Sequence, residues 1–232
     1  TKNKYSFIYI QMSVNIIHEC CKLSELSYLD PDKIKKKQAY QFTFIESNQY
    51  SFNDCQLYTF NVNNYLIICF RGTSSYRDLL SDINISQSDF ILPNLKETDI
   101  YPKVHSGFYN QFLSIFDKLN NIIKHNTSIG IKKLVFCGHS LGGALSTIAS
   151  LYFYYSYNFK FLELDIQNIT FGSPRVGDQL FVGIFNDTHI TSHRIVHESD
   201  PIPFLPDAIS FAHIKSLEWI TENTIKKKSR KY

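Results

Sequence analysis

The stretch Leu134-Val135-Phe136-Cys137-Gly138-His139-Ser140-Leu141-Gly142-Gly143-Ala144-Leu145 constrains this chain more than any other. An apolar run ends in Gly-x-Ser-x-Gly and a helix-forming segment follows at once, the order that a nucleophile elbow needs. The serine then sits on a tight, strained turn, where Gly138 and Gly142 leave room that a Cβ would fill. Ser140 Oγ is expected to point away from the sheet, above the N-terminus of the following helix. The Leu141 N–H lies close by, ready to donate to a developing oxyanion. The plain alternative is a Gly/Ser turn, and the placement between strand and helix argues against it.

The flanking chain alternates between the two periods. Ser13 to Tyr28 reads as an amphipathic helix with Val14, Ile17, Cys21 and Leu26 on its apolar side, ended by Asp30-Pro31. Lys33 to Gln38 reads as a polar connection. Tyr40 to Glu46 and Cys55 to Asn61 read as outer strands, and Tyr65 to Phe70 is apolar on both faces, as a covered central strand should be. Tyr76, Leu79, Leu80 and Ile83 give a short helix one apolar face. Ser86 to Tyr101 has no period and reads as a loop. Helices are expected over Gly107 to His125, Gly142 to Tyr157 and Asp178 to Asn186. Ile166 to Phe171 and His193 to His197 are expected strands, with final ordered signals at Ile209 to Ile214 and Leu217 to Ile220. This alternation implies an α/β fold with a mostly parallel sheet covered by helices on both faces. At 232 residues, one domain over the whole chain is the default.

Bulk properties exclude several functions. Net charge is a mild +3, coming largely from Lys33 to Lys37 and the run Lys226 to Lys231, both read as solvated surface. No interleaving of basic and aromatic residues suggests nucleic-acid binding. The five cysteines show no Cys-x-x-Cys spacing, and Cys69 and Cys137 fall in apolar strand-like runs. That usage predicts a reducing, cytoplasmic setting, or secretion if a signal peptide is missing from the sequence. No apolar run is long enough to span a bilayer. His189, His193 and His197 are spaced as metal ligands on a helix would be, but they fall on an expected strand, so no metal is predicted.

A serine nucleophile needs an imidazole to take its proton and a carboxylate to orient that imidazole. Asp200 lies just past the expected strand Arg194-Ile195-Val196-His197, on the elbow side of the sheet, in a loop stiffened by Pro201 and Pro203. Glu198 is the second candidate. Several blocks now carry a family resemblance. They are Phe70-Arg71-Gly72-Thr73, Val104-His105-Ser106-Gly107-Phe108, the elbow, Thr170 to Gly177, and Asp200-Pro201-Ile202-Pro203-x-Leu205-Pro206. In this order, from about residue 62 to residue 220, the chain resembles the class 3, fungal-type lipases. The resemblance implies an α/β-hydrolase fold and hydrolysis of carboxylic esters, usually acylglycerols or phospholipids, with no cofactor. It implies Ser140 as nucleophile, Asp200 as acid, and Thr73 with Leu141 as the oxyanion hole. It also implies that the helix of Tyr76, Leu79, Leu80 and Ile83 is a lid that opens at a lipid interface, with Leu79 where the best-known fungal members carry Trp.

The triad histidine does not follow cleanly. Of eight histidines only His213 comes after Asp200, and it matches a family position that is not the base. Either the sequence is truncated before the base, or His213 serves in a compact variant. A third reading is a hydrolase fold that has lost catalysis and acts as a binding or scaffold protein. An acyltransferase is the alternative within the chemistry. The expected reaction is acyl transfer from a lipid ester through an acyl-enzyme on Ser140; nothing in the sequence fixes an oligomeric state.

Overall fold

The computed structural model describes residues 16–36, 42–46, 55–62, 64–73, 86–95, 100–157, 164–221 and 224–228. Apolar runs that predicted buried strands form the middle of one sheet. Its order is β1 (Phe42–Glu46), β2 (Gln56–Val62), β3 (Tyr65–Phe70), β6 (Lys133–His139), β7 (Asp165–Phe171), β8 (Thr191–His197), β9 (Leu217–Thr221) and β10 (Thr224–Lys228). The run β3-β6-β7-β8-β9 is parallel, while β1, β2 and β10 pair antiparallel. A two-stranded ribbon, β4 (Gln87–Asp89) with β5 (Lys103–His105), stands apart from it.

Alternation along the strands divides the core in two. Leu66, Ile68, Phe70, Leu134, Phe136 and Ile166 face the helices α3 (Ser106–Ser128) and α4 (Leu141–Tyr157). Aromatic rings fill that layer: Phe136 and Phe153 stack at 5.9 Å, and Phe112 meets Tyr152 at 5.5 Å. Fully burying each such ring contributes about 1.5–3 kcal/mol. α4 is apolar nearly all round and buried along most of its length, so its few polar side chains need partners. Ser146 Oγ donates to Asn168 Oδ1 at 2.9 Å, and Asn168 Nδ2 donates to Thr147 Oγ1 at 3.2 Å, which pins α4 to β7.

The opposite layer holds Tyr58, Phe60, Ile67, Cys69, Val135, Cys137 and Ile169. Two N-terminal helices cover it: α1 (residues 16–26) and α2 (Pro31–Lys36). α1 buries Cys20, Leu23 and Ser24, and the turn after it buries Ser27, while the predicted Cys21 is exposed; Val14 lies outside the described residues. Small serines let the helix approach the strand, and Cys69 Sγ lies 3.9 Å from Ser24 Oγ. Lys33 to Lys36, expected as a polar connection, is helical. Pro31 opens α2 as its first residue, where a missing N–H does no harm.

Further differences lie at the edges. The loop predicted over Ser86 to Tyr101 contains β4, three polar residues held by register with β5. Lys226 to Lys228, read as solvated tail, belong to edge strand β10, and lysine on an edge discourages further strand pairing. α5 (Gln179–Asn186) starts where expected, capped by Asp178, whose carboxylate accepts from Phe181 N at 2.8 Å. All five cysteines are thiols outside any disulfide, and four of them are buried. Burial pushes the Cys55, Cys69 and Cys137 thiols well above the usual range. Among the described residues, no helix is long and apolar enough to cross a membrane.

Candidate active site

β6 delivers the elbow to the C-terminal edge of the parallel strands. Ser140 follows β6 and precedes α4 with φ of 56°, the left-handed conformation that a non-glycine residue adopts only under constraint. Its N–H donates to Phe171 O at 2.9 Å, and its carbonyl accepts from Gly143 N at 2.9 Å. Both flanking glycines are required by space. A Cβ on Gly138 would collide with the Gly142 backbone, and one on Gly142 with the carbonyl of Phe70. Ser140 is 5% exposed. Leu141 is the first residue of α4, so its N–H has no acceptor inside the helix.

Thr73 comes off the end of β3, whose Phe70 is in register with Gly138. Gly72 makes that approach close: a Cβ there would lie 2.6 Å from the His139 carbonyl and collide with the Tyr28 hydroxyl. Arg71 is held from the side, its Nη1 donating to Gln56 Oε1 at 2.7 Å. Thr73 therefore leaves the sheet beside the elbow.

Asp200 follows β8 and heads a tight turn, accepting from Ile202 N at 3.0 Å on Oδ1. The turn continues as a short 3-10 helix, Ile202–Phe204. Arg175 ties it down: Nη1 donates to the carbonyl of Phe204 and, at 2.6 Å, to that of Pro206. Gly172 sits between acid and elbow with φ of 57°. A Cβ there would strike Asp200 Oδ2 and lie 3.6 Å from His139 Nε2, so the carboxylate and the imidazole flank one bare Cα.

His139 is held by a residue that sequence reasoning missed. The Tyr28 hydroxyl and His139 Nδ1 are hydrogen-bonded at 2.8 Å, with the rings edge to face at 5.9 Å. Burial lowers the His139 pKa below the ordinary imidazole value, while the nearby Asp200 charge opposes that shift. Burial pushes the Tyr28 phenol up to about 12, so it stays protonated. No local pattern marks Tyr28, because the pairing spans 111 residues.

The structure does not bring His213 to the pair. His213 Nε2 donates to the Pro203 carbonyl at 2.6 Å, and no hydrogen bond joins the ring to Asp200 or Ser140. Burial, with Arg194 and Arg175 nearby, lowers its pKa to about 3 and keeps it neutral. His193 and His197 have separate partners, Glu218 Oε1 at 2.7 Å and Ser199 Oγ at 2.9 Å. The predicted lid residues Tyr76, Leu79, Leu80 and Ile83 lie outside the described residues.

A parallel sheet that presents a strained serine between strand and helix, with a carboxylate past a later strand, defines an α/β-hydrolase. The family model for class 3 lipases matches residues 67–209. The chain belongs to the class 3 lipase family. It is 32% identical to a lipase of Rhizomucor miehei over 164 residues, covering 68% of this chain and 42% of that protein. It is 28% identical to a secreted mono- and diacylglycerol lipase of Fusarium solani over 166 residues, covering 70% of this chain and 46% of that one. The chain thus spans less than half the length of these curated relatives. Among solved structures, the Rhizomucor miehei triacylglyceride lipase superposes with a TM-score of 0.75 at 26% identity, covering 91% of this chain and 82% of that one. Another, described as a triacylglycerol lipase whose catalytic centre is a serine protease triad, gives 0.74 at 26% identity, over 90% of this chain and 81% of that one.

Proposed function

We propose that this protein hydrolyses lipid carboxylic esters through an acyl-enzyme on Ser140. The observation that carries the reading is Ser140 in the left-handed turn at the head of α4, with Asp200 facing the elbow across Gly172. Ser140 Oγ attacks the ester carbonyl as its proton leaves to an imidazole, and the oxyanion accepts hydrogen bonds from Thr73 N–H and Leu141 N–H. The alcohol departs with that proton. Water then attacks the acyl-enzyme, and the fatty acid leaves. Asp200 orients the imidazole. Acylglycerols are the substrate class, as the names of the relatives suggest, and contact with a lipid interface is transient.

His213 serves this scheme by bracing the acid loop through Pro203, not by taking the serine proton. Buried thiols with raised pKa values are inert in either redox setting, so the cysteines no longer argue for the cytoplasm. Secretion, as in the Fusarium relative, is the better reading.

The second reading, a binding protein on a silent hydrolase fold, draws on one fact. Among the described residues, no imidazole hydrogen-bonds to Ser140 or Asp200. Hydrolysis of p-nitrophenyl butyrate and laurate by wild type, Ser140→Ala and His213→Gln separates these cases. The proposal expects turnover in wild type and His213→Gln and none in Ser140→Ala. Wild type no faster than Ser140→Ala would favour the binding protein, and loss in His213→Gln would restore His213 as base.

A further inference from the structure

A cavity of about 480 Å³ opens beside the acid loop, and none of Ser140, Leu141, Thr73 or Asp200 lines it. That volume falls within the range of small-molecule sites. One wall is a face of α5, where Val182 and Gly183 are flanked by the amides of Gln179 and Asn186. The other wall is the segment after the acid loop, from Ala208 to Lys215, which contributes Phe211 and His213. Among the described residues, nothing lies within 4 Å of a Cβ built on Gly183, so the groove is open there. The floor is apolar: Phe211 is 1% exposed and Val182 is 8% exposed.

Its charged lining is all of one sign. Arg175 and Lys215 line the groove, and no carboxylate does among the described residues. His213 adds no charge at neutral pH, being held neutral. Asp207, whose charge acts on Arg175, lies just before the lining residue Ala208 and uses Oδ1 to accept from Ile209 N at 2.8 Å and Ser210 N at 2.9 Å. Lys215 is fixed at its end of the groove, since its N–H donates to Asn186 Oδ1 at 2.9 Å.

An apolar trough with a cationic end fits an amphiphile that carries an anionic head. We propose that this groove binds a free fatty-acid anion, its carboxylate at Lys215 and its chain along Val182, Gly183 and Phe211. The choice of ligand rests in part on the proposed ester hydrolysis, which releases such an acid. The groove is also linked to the acid loop. His213 and Arg175 both line it, and they donate to the carbonyls of Pro203, Phe204 and Pro206. Product bound there contacts the residues that hold Asp200 in place.

Calorimetric titration of laurate, below its micelle concentration, into Ser140→Ala protein tests binding without turnover. Saturable binding is expected. Gly183→Leu, which fills the trough, should abolish it, and Gly183→Ala, which adds one methyl to open space, should keep it. Lys215→Gln should weaken it about tenfold, and 1-dodecanol should bind about tenfold more weakly than laurate. Thermal melting of each variant confirms the fold, and both positions face open space or solvent. The proposal is overturned if laurate shows no saturable binding, if Gly183→Leu and Lys215→Gln bind as the parent does, or if dodecanol matches laurate. Binding only to anionic phospholipid vesicles, with none to free laurate, overturns it as well. Hydrolysis of p-nitrophenyl butyrate is measured separately, so failure of the ester-hydrolase reading shows in that assay alone.

Discussion

Tyr28, in the turn just past α1, is hydrogen-bonded through its hydroxyl to Nδ1 of His139 at 2.8 Å. The bond ties the N-terminal segment to the residue before Ser140, and the same hydroxyl packs over the bare backbone of Gly72. One side chain thereby borders both the elbow and the strand end that leads to Thr73. Tyr28→Phe removes only the oxygen and leaves His139 Nδ1 unpaired. A lost neutral hydrogen bond of this kind costs about 1 kcal/mol. Ser140-dependent hydrolysis by Tyr28→Phe should fall about fivefold, in kcat more than in KM. Steady-state kinetics on a soluble ester check this, and unchanged kcat would show that Tyr28 only packs.

Gly172 is constrained twice. Its φ of 57° costs a residue with a Cβ about 1–2 kcal/mol, and that Cβ would press on Asp200 Oδ2. Gly172→Ala should therefore displace the carboxylate before it unfolds the chain. Expected outcomes are a lowered melting temperature and a loss of hydrolysis of about a hundredfold or more, given what small misplacements cost in active sites. A melting curve with parallel kinetics decides it: a stable variant with full activity would mean that Asp200 is not the acid.

How much of this was legible follows from the range of each signal. Strands β3, β6 and β7 are long apolar runs, and the elbow glycines sit within four residues of the serine, so local sequence carries them. The buried face of α1 is not legible from apolar periodicity, because a hydrophobic pattern gives Ser24, and Ser27 just past the helix, no weight. β4 has three polar residues and owes its form to β5. β10 is lysine-rich, and its pairing with β9 outweighs its composition. The Tyr28–His139 and Arg175–Phe204 contacts are long-range and leave no local trace. His213 was singled out by its order after Asp200; chain order says nothing about which way a ring turns.

In the proposed mechanism Arg175 is a positioning residue. Its planar guanidinium reaches two carbonyls of the acid loop, those of Phe204 and Pro206, from one nitrogen. Lysine keeps the charge but not the planar, rigid guanidinium. Arg175→Lys should lower kcat about tenfold with KM little changed, because the acid loop loosens while the nucleophile and oxyanion hole stay intact. Kinetics over a range of short-chain esters test this. A rise in KM at constant kcat would instead assign Arg175 to substrate contact.

His213 yields a prediction in which the sign is fixed by burial. Its folded pKa is lowered to about 3, against about 6.5 for the unfolded chain. Between those values the unfolded state takes up a proton that the folded state does not. His213 therefore destabilises the fold progressively as the pH drops below about 6.5, with a slope of up to about 1.4 kcal/mol per pH unit. His213→Gln can still donate to the Pro203 carbonyl but does not titrate. Its stability should match wild type to within about 1 kcal/mol near neutral pH and fall less steeply in acid. Urea denaturation of both proteins between about pH 8 and pH 4 gives the two slopes. Parallel curves would mean that the His213 ring is protonated in the fold, and the brace on the acid loop would then be a charged one.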